Sequence, residues 1–208
     1  MALLAVPDLT TVPVIASGSL QPTFKARMNE GRAASTKVMV VVSPGGAPVR
    51  CEVVFKNGPI SNGEALCGLI RQHTHYSPAM DADGRPIFGV AYEWSQWRNA
   101  QWLGADVPEW DPVDLVFEVE KMPDGVSEMS TFRLALLVDG SGTVRHCRIL
   151  DAPVSDQLGA VLCRLAGSGL VTPAMDGNGK PVVSVRPYRV RLASKAFMVG
   201  MINRVRGR

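Results

Sequence analysis

The sequence predicts an α+β protein of two tandem modules, each with the order β-β-α-β, a three-stranded antiparallel sheet and one helix on one face. Three repeated features predict this fold. The run SPAMDADGRPI at 77–87 is almost identical to the run TPAMDGNGKPV at 172–182. A short turn containing glycine lies upstream of each run. Two cysteine pairs share the same spacing of 16 residues: Cys51 with Cys67, and Cys147 with Cys163.

Each module begins with an aliphatic strand and a hairpin. The first strands are predicted at 37–42 and 132–138, and the turns at 44–46 and 140–142 are rich in the glycines that tight hairpins favour. In the second strand apolar and polar residues alternate, as expected where one face is buried. Its apolar positions are Val49, Cys51, Val53 and Phe55 in module one, and Cys147 and Ile149 in module two.

A short helix and a final strand complete each module. Asn62 and Ser155 are the predicted N-caps of the two helices, because each precedes apolar residues at helical spacing. Asp81 and Asp176 then start a loop that reaches a glycine within three residues, which predicts an Asx-type turn. The last strands are predicted at 87–94 and 182–192.

The predicted domain boundaries follow from the repeat. We expect an N-terminal extension at 1–34, module one at 35–97, a Trp-rich and acidic linker at 98–129, module two at 130–193 and a basic tail at 194–208.

The linker region has two features of its own. All four tryptophans lie between Trp94 and Trp110, which indicates either a hydrophobic plug between the modules or an aromatic peptide groove. Residues 113–120 alternate weakly in polarity, so this segment could add a strand to the free edge of one module.

Charge is distributed unevenly along the chain. Residues 1–126 carry a net charge of −4 and residues 127–208 a net charge of +7, which sum to the overall +3. The basic half indicates a solvated cationic surface, an acidic partner or an anionic membrane surface. A nucleic-acid partner is not predicted, because no recognised binding motif accompanies the charge.

Targeting signals are not evident. We expect no transmembrane segment, because no apolar run approaches the roughly 18–20 residues that a spanning helix needs. A signal peptide or anchor is not convincingly recognised in residues 1–18, which lack a basic start and are interrupted by Pro7 and Asp8.

The repeated pattern resembles the C-terminal periplasmic domain of the TonB family of energy transducers, in two tandem copies. The resemblance is carried by the hairpins at 40–46 and 136–142, the second strand Val-Arg-Cys-Glu-Val at 49–53, and the P-A-M-D-x-x-G-x-P runs. A cysteine pair joining the second strand to the helix is similar to the variant found among TonB-like proteins of alphaproteobacteria. The inner-membrane helix and the proline-rich spacer of a complete transducer are not seen.

The resemblance implies a function in the periplasm. In the family, an extended segment of an outer-membrane transporter pairs with the last strand by strand addition. It implies a peptide segment of such a transporter, or of another envelope protein, as partner. The edge strands would then be Val90–Trp94 and Tyr188–Leu192. Their predicted partner-binding residues are Val90, Tyr92, Trp94, Tyr188, Arg189 and Arg191.

Two questions about these edges stay open. The two last strands could instead pair with each other, which would make the protein a structural or assembly module. Arg186, Arg189 and Arg191 could protect the edge by charge, or could meet an acidic peptide or the acidic linker.

The four cysteines predict one disulfide inside each module, because an even count at a repeated spacing is typical of a disulfide framework. The alternative is four small buried thiols in a reducing compartment.

No catalytic residue, cofactor or metal site is predicted, and the protein is not expected to be an enzyme. The chain contains neither a G-x-S-x-G sequence nor a phosphate-binding Walker loop. His73 and His75 lie near Cys67, but the second module has no matching histidines.

Overall fold

The computed structural model describes residues 10–17, 34–57, 61–98, 101–104, 113–151 and 155–199. Within these ranges the chain is an α+β protein, which confirms the predicted class. Its elements are β1 (Val14–Ser17), β2 (Ala34–Val42), β3 (Pro48–Asn57), α1 (Ser61–His73), β4 (His75–Ser77), β5 (Ala79–Met80), β6 (Pro86–Arg98), β7 (Gln101–Gly104), β8 (Leu115–Val119), β9 (Thr131–Val138), β10 (Val144–Ile149), α2 (Asp156–Ala166), β11 (Ala174–Met175), β12 (Pro181–Val182) and β13 (Ser184–Ser194).

Both predicted hairpins are present. β2 pairs with β3 and β9 pairs with β10, each antiparallel. Gly46 and Gly142 lie in the turns with φ of 83° and 88°, a left-handed conformation that glycine adopts readily because it lacks a Cβ.

Of the two predicted helix N-caps, one is confirmed and one is wrong. Ser155 is the N-cap of α2, because its hydroxyl oxygen accepts the backbone N–H of Leu158. α1 begins at Ser61, so Asn62 lies inside the helix and its prediction as the N-cap is wrong.

The aspartates of the repeated run form the predicted turns. Oδ1 of Asp81 accepts the backbone N–H groups of Asp83 and Arg85 at 3.0 and 2.9 Å. In the same way Asp176 accepts from the residues two and four positions later. These contacts explain both aspartates as turn formers.

The long strands of both repeats belong to one sheet, whose path is β10-β9-β13-β6-β2-β3, whereas β1 with β4 and β11 with β12 form separate two-stranded sheets. β13 and β6 run parallel and join the repeats through the pairs Ser184–Phe88 and Val185–Gly89. The expected pair of separate three-stranded sheets is therefore corrected to a single sheet. An open strand edge exposes unpaired N–H and C=O groups. The short pairing of β6 with β13 gives some of these groups partners.

The two helices pack on opposite faces of this sheet. α1 packs against Val40 and Ala91, which are paired across β2 and β6 and so lie on the same face. Gly89 shares this face with Ala91 and is paired with Val185, which is paired in turn with Leu137. Adjacent residues of a strand point to opposite faces. α2 packs on the other face, against the neighbours of Leu137 on either side in β9.

Each repeat covers the open face of the other. Ala174, from the P-A-M-D run of the second repeat, packs against Val41 and Val90 of the first. Ala79, from the same run of the first repeat, packs against Ala135 and Val185 of the second. The repeated run therefore buries the face that each helix leaves open, which a repeat of this size needs for a sufficient core.

The second repeat has an additional strand. β8 pairs in parallel with β13 from Val190 to Ser194, which confirms the prediction that residues 113–120 add a strand. Leu115 and Phe117 of β8 pack against the core beneath α2.

Candidate functional site

A cleft opens where β6 and β13 diverge. One edge of β6 is paired with β2 from residue 89 to 97. The other edge pairs with β13 at 88–89 and with β7 at 96–98. Along this second edge, residues 90–93 have no strand partner in the described part of the chain. The central sheet thus leaves an interval of four residues in which a further strand can be accepted.

The opposite wall of the cleft belongs to β13. Its far edge is paired with β9 from Ser184 to Arg191. On the side of the cleft, Arg189 exchanges two hydrogen bonds with Asp114: its N–H donates to Oδ2 at 2.7 Å, and its C=O accepts the N–H of Asp114 at 3.0 Å. Pro187 has no N–H to offer. β13 therefore offers few backbone groups for pairing with an added strand on this side of the cleft, whereas β6 offers more.

A cavity of about 350 Å³ lies at the cleft. Its walls include Ala91 to Glu93 of β6, Pro187 and Arg189 of β13, and residues 12–15 of the N-terminal segment. Lys37, Asp114 and Arg133 also line it. The cavity lies at the lower end of the volumes typical of small-ligand pockets.

Lys37 is a buried cation beside the cleft. Its side chain is 8% exposed, and Nζ lies 4.8 Å from the ring centroid of Tyr92 and 5.3 Å from that of Trp94. Burial, together with the nearby charge of Arg189, lowers the pKa of Lys37 to about 8, against the opposing effect of Asp114. The aromatic faces stabilise the ammonium group that burial destabilises.

Arg186 connects the two repeats at the cleft. Its Nη2 donates to the hydroxyl of Tyr92 at 2.5 Å, and its Nη1 donates to the carbonyl of Thr172 at 2.8 Å. The guanidinium therefore ties β6 of the first repeat to β13 and to the loop after α2 in the second.

Glu93 lies on the other face of β6, next to the fully buried Tyr76. Burial raises the pKa of Glu93 to about 7, against the opposing effect of the nearby Tyr76 hydroxyl. Burial and the nearby Glu93 raise the pKa of Tyr76 well above its ordinary value. A carboxyl group with this pKa changes charge near neutral pH.

A pH dependence of stability follows from Glu93. The folded state raises its pKa above the unfolded value of 4.5, so its stabilising contribution is complete below pH 4.5 and is lost as the pH rises through 7. We expect the free energy of unfolding to fall by roughly 1–2 kcal/mol between pH 5 and pH 7.5, and Glu93→Gln to remove most of this fall. Urea denaturation at the two pH values measures both.

Glu118, exposed on β8, supplies the matched control. Glu118→Gln should keep the full pH dependence. A fall that persists unchanged in Glu93→Gln would contradict the assignment to Glu93.

The six predicted partner-binding residues lie on β6 and β13. Both strands are internal in the sheet, so the expectation that these residues lie at its outer edges is corrected. Their role in binding a partner stays a prediction. Tyr92 and Arg189 line the cavity. Val90 and Trp94 are buried beside it. Tyr188 packs against the core beneath α2, and Nε of Arg191 donates to Oγ1 of Thr131 at 3.0 Å.

Sequence reasoning missed three residues of the cleft: Lys37, Asp114 and Arg133. Lys37 stands at the start of a predicted strand and Asp114 in the linker segment that could add a strand, and neither position carries a signal of the cleft. The proposed aromatic groove rests partly on the side chains of Trp97, Trp102 and Trp110, which lie outside the described residues.

Both predicted disulfides are formed. Cys51–Cys67 and Cys147–Cys163 have Cα–Cα distances of 5.5 and 5.6 Å, and together they account for all four cysteines. Each bond joins the second strand of a repeat to its helix. Cys67 is buried in the core beneath α1, whereas Cys147 and Cys163 line a surface cleft of about 410 Å³.

Comparison with known proteins gives no assignment. The chain matches no family model, no curated protein and no solved structure. None of the described helices has the length and apolar character needed to cross a membrane. Among the described residues, no group of three or more His, Cys, Asp or Glu side chains is arranged to hold a metal ion.

Proposed function

We propose that the protein binds an extended segment of another protein by strand addition in the cleft between β6 and β13. The observation that carries the proposal is the second edge of β6 at residues 90–93, which has no strand partner in the described chain and borders a cavity. Backbone groups on such an edge pair readily with an added strand.

The outer edges of the sheet are less suitable for an added strand. β3 pairs with β2 with two shifts of register, next to Val38 and next to Val42, and β10 has one shift between Val144 and His146. Bulges of this kind bend an edge strand and interrupt the regular spacing of its free N–H and C=O groups. The cleft is therefore the favoured site of pairing.

The resemblance to TonB C-terminal domains suggests the partner. Each repeat follows the order of two strands, a helix and a last strand, which supports two tandem modules of this type. The two disulfides favour an oxidising compartment. The proposal is a periplasmic protein whose partner is a segment of an outer-membrane transporter or another envelope protein.

The test is protection of backbone amides in the full-length, oxidised protein. Synthetic transporter-derived peptides are added, and hydrogen exchange is followed by NMR. Amides on the second edge of β6 within 90–93 should be protected, whereas the outer edge of β3 should be unchanged. Peptides N-methylated at alternate residues add a strict control, because an added strand offers every second N–H to its neighbour. One methylation pattern should abolish binding and the shifted pattern should not; equal loss with both patterns would exclude strand addition.

The second candidate function is a structural or assembly module, and the continuous six-strand path favours it. In that case β6 and β13 are already paired with each other, and the cleft is only a gap in the packing between them. Unchanged exchange at 90–93 with every peptide tested would support this candidate over the first.

A further inference from the structure

The two disulfides occupy equivalent places in the two repeats but have different surroundings. The first, Cys51–Cys67, and the second, Cys147–Cys163, each join the second strand of a repeat to its helix. Cys67 is buried in the core beneath α1, whereas its counterpart Cys163 is partly exposed. Both cysteines of the second disulfide line the cleft of about 410 Å³ between α2 and β10, which we call the disulfide cleft. The second disulfide is therefore open to a reagent from this side.

A pair of equivalent glycines shows how the packing differs. Gly63 and Gly159 each stand four residues before the cysteine of their helix. Gly63 is buried, and a Cβ placed there would lie 2.4 Å from Cγ2 of Val53, so α1 lies directly against β3. Gly159 lines the disulfide cleft, and a Cβ placed there would lie 3.4 Å from Cγ1 of Ile149, the counterpart of Val53. At this point α2 therefore lies less closely against its strand than α1 does.

A second cleft, of about 810 Å³, lies along the other flank of α2. Both clefts are lined by residues from the first two turns of the helix. The buried residues of α2, Leu162 and Ala166, lie in its second half, and in the first half Leu158 packs against the core while partly exposed. The second disulfide is thus a covalent tie on a helix whose first half has a cleft on each side.

We propose that Cys147–Cys163 is a site of thiol–disulfide exchange with a dithiol reductant, whereas Cys51–Cys67 is a structural bond. The rate of exchange depends on access of the attacking thiolate to a disulfide sulfur, and the disulfide cleft provides this access in the second repeat. Reduction removes the tie between α2 and β10 and so loosens α2. The proposal does not depend on strand addition between β6 and β13.

The exchange takes two steps. A thiolate of the dithiol attacks Sγ of Cys163, a mixed disulfide forms, and Cys147 leaves as a thiolate that takes up a proton. The second sulfur of the dithiol, as a thiolate, then attacks the first. This step closes the reductant's own disulfide and releases Cys163 as a thiolate, which is protonated in turn. Two electrons and two protons have then passed from the dithiol to the protein.

The test follows both disulfides of the full-length, oxidised protein in dithiothreitol. Asp151 and Asp156 also line the disulfide cleft, so an uncharged reductant is the suitable probe. Free thiols are alkylated at successive times, and mass spectrometry gives the reduced fraction of each pair. The initial reduction of the second disulfide should be about tenfold faster than that of the first, because attack depends on access. Its rate should rise linearly with the concentration of dithiothreitol.

Amide exchange measures the consequence for the helix. In protein reduced at the second disulfide alone, amides of α2 should exchange severalfold faster than in the oxidised protein, because a local opening no longer has to work against the tie. Amides of α1 should be unchanged. Unchanged exchange in α2 would overturn the conclusion that the bond restrains this helix.

Filling the disulfide cleft should protect the second disulfide. Gly159→Leu places a larger side chain at the lining of the cleft and should slow its reduction severalfold. Gly68→Leu is the matched control, because it makes the same change in α1, where a Cβ meets nothing within 4 Å in the described structure. Both variants replace a helical glycine and gain the same helix propensity, but only Gly159→Leu should slow reduction of the second disulfide.

Three results would overturn the proposal. Equal rates at the two disulfides that do not depend on dithiothreitol concentration would mean that reduction waits for unfolding of the protein. Faster reduction of the first disulfide would mean that burial of Cys67 does not protect its bond. Equal slowing of the second disulfide by Gly159→Leu and Gly68→Leu would mean that the disulfide cleft is not the route of attack.

Discussion

Replacing both Cys51 and Cys67 by alanine is expected to lower the free energy of unfolding by about 4 kcal/mol. Closing a loop of 16 residues contributes roughly 3 kcal/mol by restricting the unfolded chain. Cys67 is only 4% exposed, in the core beneath α1, so removal of its sulfur also leaves a small cavity, which costs about 1 kcal/mol more. Guanidinium denaturation of the oxidised protein and the variant measures the difference.

The second disulfide is a control of identical loop length. Cys147–Cys163 also closes a loop of 16 residues, so the contribution from the unfolded chain is the same. Its cysteines line a surface cleft, and the double alanine variant is expected to lose about 3 kcal/mol. A larger loss for the second pair than for the first, or a loss below about 1 kcal/mol for both, would show that the bonds do not stabilise the fold in this way.

The repeat explains why so much of each half could be predicted. Two copies of one pattern provide two independent observations of the same hairpin, helix and last strand, so accidental features of either copy carry less weight. The cysteine pairing follows from the same doubling, because a spacing that occurs twice indicates a bond within each copy. The roles of Asp81 and Asp176 as turn formers were predictable for this reason.

The join between the repeats could not be predicted from the same pattern. Alternation along residues 87–94 assigns side chains to two faces but says nothing about which strand lies beside them. β13 meets β6 through two residue pairs, Ser184–Phe88 and Val185–Gly89, and then leaves it. Such a short parallel contact between distant strands has no local sequence signal, and the wrong expectation of outer edges follows from its absence.

The cleft residues were missed for a related reason. Lys37 is buried because its cross-strand partner is Trp94 and its ammonium group lies over two aromatic rings. Arg133 faces Arg189 only in the register that the folded sheet adopts. A charged residue in a strand is expected to face solvent until the register is known. Sites composed of residues from both repeats therefore emerge from the structure alone.

Gly142→Ala is expected to lower the free energy of unfolding by about 3 kcal/mol or more. The backbone at Gly142 has φ of 88°, which costs an L-residue roughly 1–2 kcal/mol. A Cβ at this position would lie 2.4 Å from the carbonyl oxygen of Val171, so the hairpin must also move away from the segment that follows α2. That movement stretches the hydrogen bond of 2.9 Å from the N–H of Val171 to the carbonyl of Gly142.

Gly179 separates these two costs. Its φ of 78° is similar, but nothing in the described structure lies within 4 Å of a Cβ placed there. Gly179→Ala should therefore lose only about 1 kcal/mol, the conformational part alone. Urea denaturation compares the variants, and exchange of the Val171 amide should accelerate in Gly142→Ala but not in Gly179→Ala. Equal losses in the two variants would mean that backbone conformation alone limits both turns. Val171 would then not be held in the core by the hairpin of its own repeat.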